Sequence, residues 1–156
     1  MKNTFTFLLI FSSLLLFSCK KKENTPATNN PSSTNVFRLK NNGVLFTTNN
    51  PGVSTNQTMI GINAGTIGET GTSYQLGIKK NLLPGTYSYT GSIDDPLTFT
   101  IISDQLIYVE NHGSITVLSN DTVLKKIVFN FEFEMLEDNS HSDTLQITEG
   151  SATISY

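Results

Sequence analysis

The sequence predicts an all-β protein: an antiparallel β-sandwich or partly open barrel of about eight to ten strands, with little or no helix outside an N-terminal export signal. Three observations carry this. Apolar residues recur with a period of two. Turn-forming residues break the chain at intervals of roughly 8–14 residues. No stretch after the first thirty-five residues shows the period of an amphipathic helix.

Each element follows from its residues. Asn42-Gly43 is a hairpin turn, because both residues tolerate positive φ, and it joins strands over residues 36–40 and 44–48. Asn49-Asn50-Pro51-Gly52 ends that pair. Alternation at Ile60, Ile62 and Ala64, then at Tyr74, Leu76 and Ile78, gives two further strands. Pro84-Gly85 leads into residues 86–90, and Asp94-Asp95-Pro96 precedes the strand of Leu97, Phe99 and Ile101. Asn111-His112-Gly113 reads as a turn before Ile115 and Val117, and Asn120-Asp121 as the next. Ile127, Phe129, Phe131, Phe133 and Met135 alternate with Val128, Asn130, Glu132 and Glu134, so aromatic rings line one face and carboxylates the other. Residues 137–142 form a turn, Leu145 and Ile147 a strand, and Glu149-Gly150 a last turn. No repeat of fixed period is present.

The N-terminus has its own logic. Lys2 precedes a mostly apolar run over residues 5–17, which ends at Lys20, Lys21 and Lys22. That length suits a signal-peptide core of about 7–15 residues and falls short of the roughly 20 a span requires. Leu16-Phe17-Ser18-Cys19 has the form of a bacterial lipobox, in which the thiol accepts a diacylglyceryl group. Residues 1–18 are therefore expected to be cleaved, leaving acylated Cys19 as a membrane anchor. Palmitate-length chains bury about 0.8 kcal/mol per CH₂, so two or three hold durably where one does not. Cys19 is the single Cys, so no intramolecular disulfide forms. Residues 19–35 make a lipidated, polar, disordered stalk, and residues 36–156 one domain.

Charge is divided unevenly. The stalk carries three lysines against Glu23, whereas the domain carries six cations against twelve acids. A basic foot favours anionic lipid, and an acidic body does not favour nucleic acid.

The whole domain resembles an uncharacterised family of small Bacteroidota cell-envelope lipoproteins. The residues that carry the likeness are the lipobox and polar stalk, a Phe-rich opening hairpin, Pro84-Gly85-Thr86-Tyr87, the segment from Gly113 to Val117, the Phe strand, and Ile147-Thr148-Glu149-Gly150. The chain departs from the family at Ala152, where Phe is common, and ahead of the Phe strand. The resemblance implies envelope localisation, with outer-membrane anchorage, and supplies no catalytic residues.

Candidate chemistry is sparse. Glu132 and Glu134 share a face about 6.5–7 Å apart, a spacing that inverting glycosidases use but that any wet strand face produces. His112 and His141 are the two histidines, both in turn-like segments; a zinc site would need Asp138 or Asp143 as well. The run 138–143 offers oxygen ligands without EF-hand spacing. Gly61 to Gly71 is Gly-rich with no Gly-Lys-Ser/Thr after it, so it is no phosphate loop. Asp121-Thr122-Val123 and Asp143-Thr144-Leu145 match a short acceptor pattern for O-glycosylation of exported proteins, which makes Thr122 and Thr144 candidate sites. The five tyrosines fit strand packing better than a ligand platform. No catalytic, cofactor or metal site is expected. The expected function is a non-enzymatic module that binds a protein or glycan partner, with an accessory subunit of an envelope complex as the runner-up and a hydrolase a distant third.

Overall fold

A computed structural model describes residues 35–65, 71–92 and 94–156. The signal peptide, Cys19 and all of the stalk before Asn35 lie outside the described residues. Within them the protein is all-β, and no helix is long and apolar enough to cross a membrane. Ten strands form: β1 (Val36–Asn41), β2 (Val44–Thr48), β3 (Gly52–Thr55), β4 (Met59–Gly65), β5 (Thr72–Lys79), β6 (Gly85–Ser88), β7 (Leu97–Ser103), β8 (Leu106–Asp121), β9 (Lys126–Glu137) and β10 (Thr144–Ser155).

Nine of them make one antiparallel sheet in the order β2-β1-β10-β9-β8-β7-β5-β4-β3, curled into a half-barrel, and β6 pairs with β8 off this path. Of the two architectures the sequence allows, this is the partly open barrel. Nine strands laid flat would put β2 and β3 about 38 Å apart at ~4.8 Å per strand. Yet only Asn49-Asn50-Pro51 separate Thr48 from Gly52, so those ends stand within about 14 Å. The link brings the two edges near each other without pairing them.

The concave side holds the core. Phe37, Leu39, Ile60, Leu76, Phe99, Ile115, Phe129 and Ile154 are all buried, as the period-two pattern requires. Asn42 and Gly43 have φ of 47° and 81°, and Asn41 pairs with Val44, which makes the predicted two-residue hairpin.

Two predicted turns are absent. Asn111-His112-Gly113 lies inside β8, and Glu149-Gly150 lies inside β10. Each marks a β-bulge. Ile147 pairs with Phe133 and Gly150 with Phe131, so β10 carries one extra residue, and Glu149 takes φ of 50° there. Glu110 pairs with Met135 and His112 with Glu134, so Asn111 is the extra residue in β8. The glycines are demanded by space. A Cβ on Gly150 would stand 2.4 Å from the Phe131 ring, and one on Gly113 would stand 2.2 Å from the Phe133 ring. Phe131 and Phe133 of β9 each lie over a glycine of a neighbouring strand, whereas Phe129 pairs with Ala152 and Val117.

The bulges bend long strands and let them serve two neighbours. Residues 106–109 of β8 pair with β7, and residues 114–117 pair with β6 on the same side. A seam opens between β6 and β7 where β8 passes from one to the other.

Candidate functional site

Glu132 and Glu134 do share the outer face of β9. With His112 they border a shallow groove of about 200 Å³. Glu134 accepts hydrogen bonds from Asn111 Nδ2 (2.8 Å) and Gln146 Nε2 (3.0 Å). Those bonds hold its carboxyl below the ordinary range, with a smaller contribution from His112. A general acid needs the opposite shift. Glu134 is therefore held as a carboxylate and not as a general acid.

His112 sits in β8 beside the bulge, not in a turn, because Gly113 serves the Phe133 ring. His141 lies in the β9–β10 turn, where its Nδ1 is 3.0 Å from the Glu137 carbonyl. Among the described residues no group of three or more His, Cys, Asp or Glu is placed to hold a metal. The loop at 138–143 is tied by other contacts. Glu137 is buried, and its carboxylate accepts from Ser140 N (3.1 Å) and Ser140 Oγ. Asp143 accepts from Tyr108 Oη (2.8 Å), and burial with that carboxylate pushes the Tyr108 phenol up to about 12. Thr122, in the β8–β9 turn, and Thr144, the first residue of β10, are both exposed.

One titrating residue escaped the sequence reading. Glu110 falls in the seam between β6 and β7, opposite Met135, and burial raises its carboxyl above the ordinary value of 4.5. Backbone amides of Glu110 and Phe99 oppose the rise. Its signal was the even-numbered alternation Tyr108, Glu110, which the turn reading of residues 111–113 obscured. A raised carboxyl favours the protonated folded state. That contribution is complete below pH 4.5 and disappears as pH rises through the folded-state value. Glu110→Gln should therefore raise the denaturation midpoint more at pH 8 than at pH 4; an equal gain at both would place the side chain in water.

An open mouth lies beside the β2 edge. Val44, Leu45 and Phe46 of β2 form one wall, facing Tyr74 of β5 and Leu145 of β10, around about 490 Å³. Phe46 meets Tyr74 with ring centroids 4.8 Å apart, which closes the mouth on the inside. Asn41 Nδ2 lies 3.5 Å from Tyr74 Oη, and Asn41 Oδ1 is buried without a partner among the described residues. An orphaned acceptor of this kind costs about 1–3 kcal/mol. Val44 is 72% exposed and Leu45 56%.

Both edge strands are free of charge. Val44-Leu45-Phe46-Thr47-Thr48 and Gly52-Val53-Ser54-Thr55 contain no Lys, Arg, Asp, Glu or Pro. Soluble sheets ordinarily block their edges with such residues. These residues were plain in the sequence, but their place at the edges was not.

Fold and site together define a half-barrel β-domain with an unguarded edge beside an apolar mouth. Comparison with family models, curated proteins and solved structures returns no match for the chain.

Proposed function

We propose that the protein is a lipid-anchored cell-envelope lipoprotein, tethered through acylated Cys19, whose domain binds a protein partner by adding a strand to β2. It is a binding module, not an enzyme. The observation that carries the reading is the uncharged β2 edge with Val44 and Leu45 exposed beside the mouth. Strand addition supplies main-chain hydrogen bonds for affinity and side-chain pockets for specificity. The edge favours a protein over a glycan, since the free backbone groups of β2 suit the repeat of another strand. An accessory subunit would use the same edge, in fixed stoichiometry with its complex.

Leu45→Lys tests this. A lysine on the edge blocks a further strand while leaving the concave core untouched. The variant should keep its unfolding free energy within about 0.5 kcal/mol. It should also lose any protein that native-membrane pull-down recovers with the unaltered chain. Recovery of the same protein by both would sink strand addition at β2. Intact-mass measurement of native protein tests the anchor separately, and also reports any sugar on Thr122 or Thr144.

A further inference from the structure

Four of the six cations of the domain gather at one end of the half-barrel. Lys79 ends β5 and Lys80 follows it; Lys125 lies in the β8–β9 turn and Lys126 opens β9. Asn120 Nδ2 donates to the carbonyls of Lys80 (2.8 Å) and Leu82 (2.9 Å), which draws the β5–β6 loop against that turn. Lys80, Lys125, Thr55 and Tyr156 border an open cavity of about 260 Å³ between them.

Three apolar side chains project from the same end. Val123 is 88% exposed, and Leu83 and Leu124 are each 74% exposed. The tip is held in shape: Asp121 Oδ1 accepts from the amides of Val123 (2.9 Å) and Leu124 (2.7 Å). Asp94 offers a backbone carbonyl to Lys79 Nζ (2.8 Å), and Asn56 offers one to Lys80 Nζ. Asp121, Asp94 and Asp95 are the acids here, and Asp95 is taken up by Thr90 and Ser92 of its own loop. The opposite end is acidic instead: Asp104, Glu137, Asp138 and Asp143 occupy its turns, with no Lys or Arg among the described residues of those turns.

The domain also begins at the basic end. Asn35 Oδ1 accepts from Ser155 N (2.7 Å), and Ser155 pairs with Lys126. The chain from Cys19 to Asn35 reaches at most about 55 Å, so an anchor at Cys19 would hold the domain within that distance of a bilayer and attach it at this end.

We infer that this end docks on an anionic phospholipid surface. Val123, Leu124 and Leu83 enter the headgroup region, while Lys80, Lys125 and Lys126 face the phosphates. Apolar tips flanked by ammonium groups suit that boundary, since each finds its own solvent there. A protein surface would explain the apolar tips, but not their coincidence with the cations and with the start of the domain. The inference deepens the lipoprotein reading and rests on it for the nearby bilayer. Docking would turn the acidic end outward. It would also leave Thr144, at that far end, more accessible than Thr122.

The mature chain carrying Cys19→Ser, mixed with phosphatidylcholine vesicles with and without phosphatidylglycerol, is the first test. Partitioning should rise with the anionic lipid and fall with salt. Lys125→Gln and Lys126→Gln should each weaken it about fivefold. Val123→Ser should weaken it severalfold with an unchanged unfolding midpoint. Partitioning unaffected by these three changes would assign all binding to Lys20, Lys21 and Lys22 and overturn the inference. The second test uses the acylated protein, with a single label at Val123→Cys or at Asn139→Cys. A lipid-borne quencher should extinguish the first and spare the second. Equal quenching overturns docking, even where intact mass shows Cys19 to be acylated.

Discussion

Gly150→Ala is expected to lower the unfolding free energy by about 3 kcal/mol, the upper part of the range for overpacking a core. The added methyl would stand 2.4 Å from the Phe131 ring and 2.5 Å from the Phe131 carbonyl oxygen. The ring is hemmed in by Phe37 and Phe99, whose centroids lie 5.4 and 5.7 Å away, and by Phe129 and Phe133 along the strand. The carbonyl belongs to the β9–β10 ladder and cannot move without breaking it. A loss of this size shifts the thermal midpoint by roughly 10 °C in a domain of this length. Gly43 makes the contrast. Its Cβ would meet nothing within 4 Å, so Gly43→Ala costs only the strain of φ at 81°, about 1 kcal/mol. If the Gly150 cost arises from the ring, it should shrink when Phe131→Leu is made in the same chain. Additive costs in that double variant, read from denaturant midpoints, would refute the ring as the cause.

That glycine also shows where sequence reading stopped. The alternation from Ile127 to Met135, the Asn42-Gly43 hairpin and the edge residues of β2 stood plainly in the sequence, because each depends on local chemistry. Glu149-Gly150 and Asn111-His112-Gly113 did not read correctly. Residues that permit positive φ or close approach serve turns and bulges alike. What decides between them is a ring on the neighbouring strand, and sequence periodicity carries no record of which strands are neighbours. The same gap hid the choice between sandwich and half-barrel, which rests on pairing between residues far apart in the chain. It also hid Glu110, since the bulge at Asn111 shifts the inward positions from even to odd numbers. The lysines near residues 80 and 125 and the start of the domain were all visible singly. Only the sheet order brings them to one end.

Phe131→Ala is expected to have the largest effect of any single truncation, about 3–5 kcal/mol, and to loosen the curl of the sheet. β1 and β7 each stand two strands from β9. On a flat sheet their side chains would be about 9.6 Å from those of β9. Phe37 stacks on Phe131 at 5.4 Å, and Phe99 meets it edge-on at 5.7 Å. The two rings converge because the sheet bends around Phe131, with Phe129 and Phe133 at 6.0 and 6.3 Å along the strand. Such ring pairs contribute about 0.5–1.5 kcal/mol each beyond the area they bury. Phe129 is as buried but meets only Phe131 among the rings. Phe129→Ala should therefore leave a cavity under an unchanged sheet, whereas Phe131→Ala should also let β1 and β7 spread. A domain of ordinary stability, about 5–15 kcal/mol, survives either loss with its strands largely formed. Near-ultraviolet dichroism and binding of an apolar dye separate the two. Phe131→Ala should lose the aromatic signal and bind dye below its unfolding midpoint, and Phe129→Ala should do neither. Identical behaviour of the two variants would mean that the curl is set elsewhere, by the three-residue link between β2 and β3.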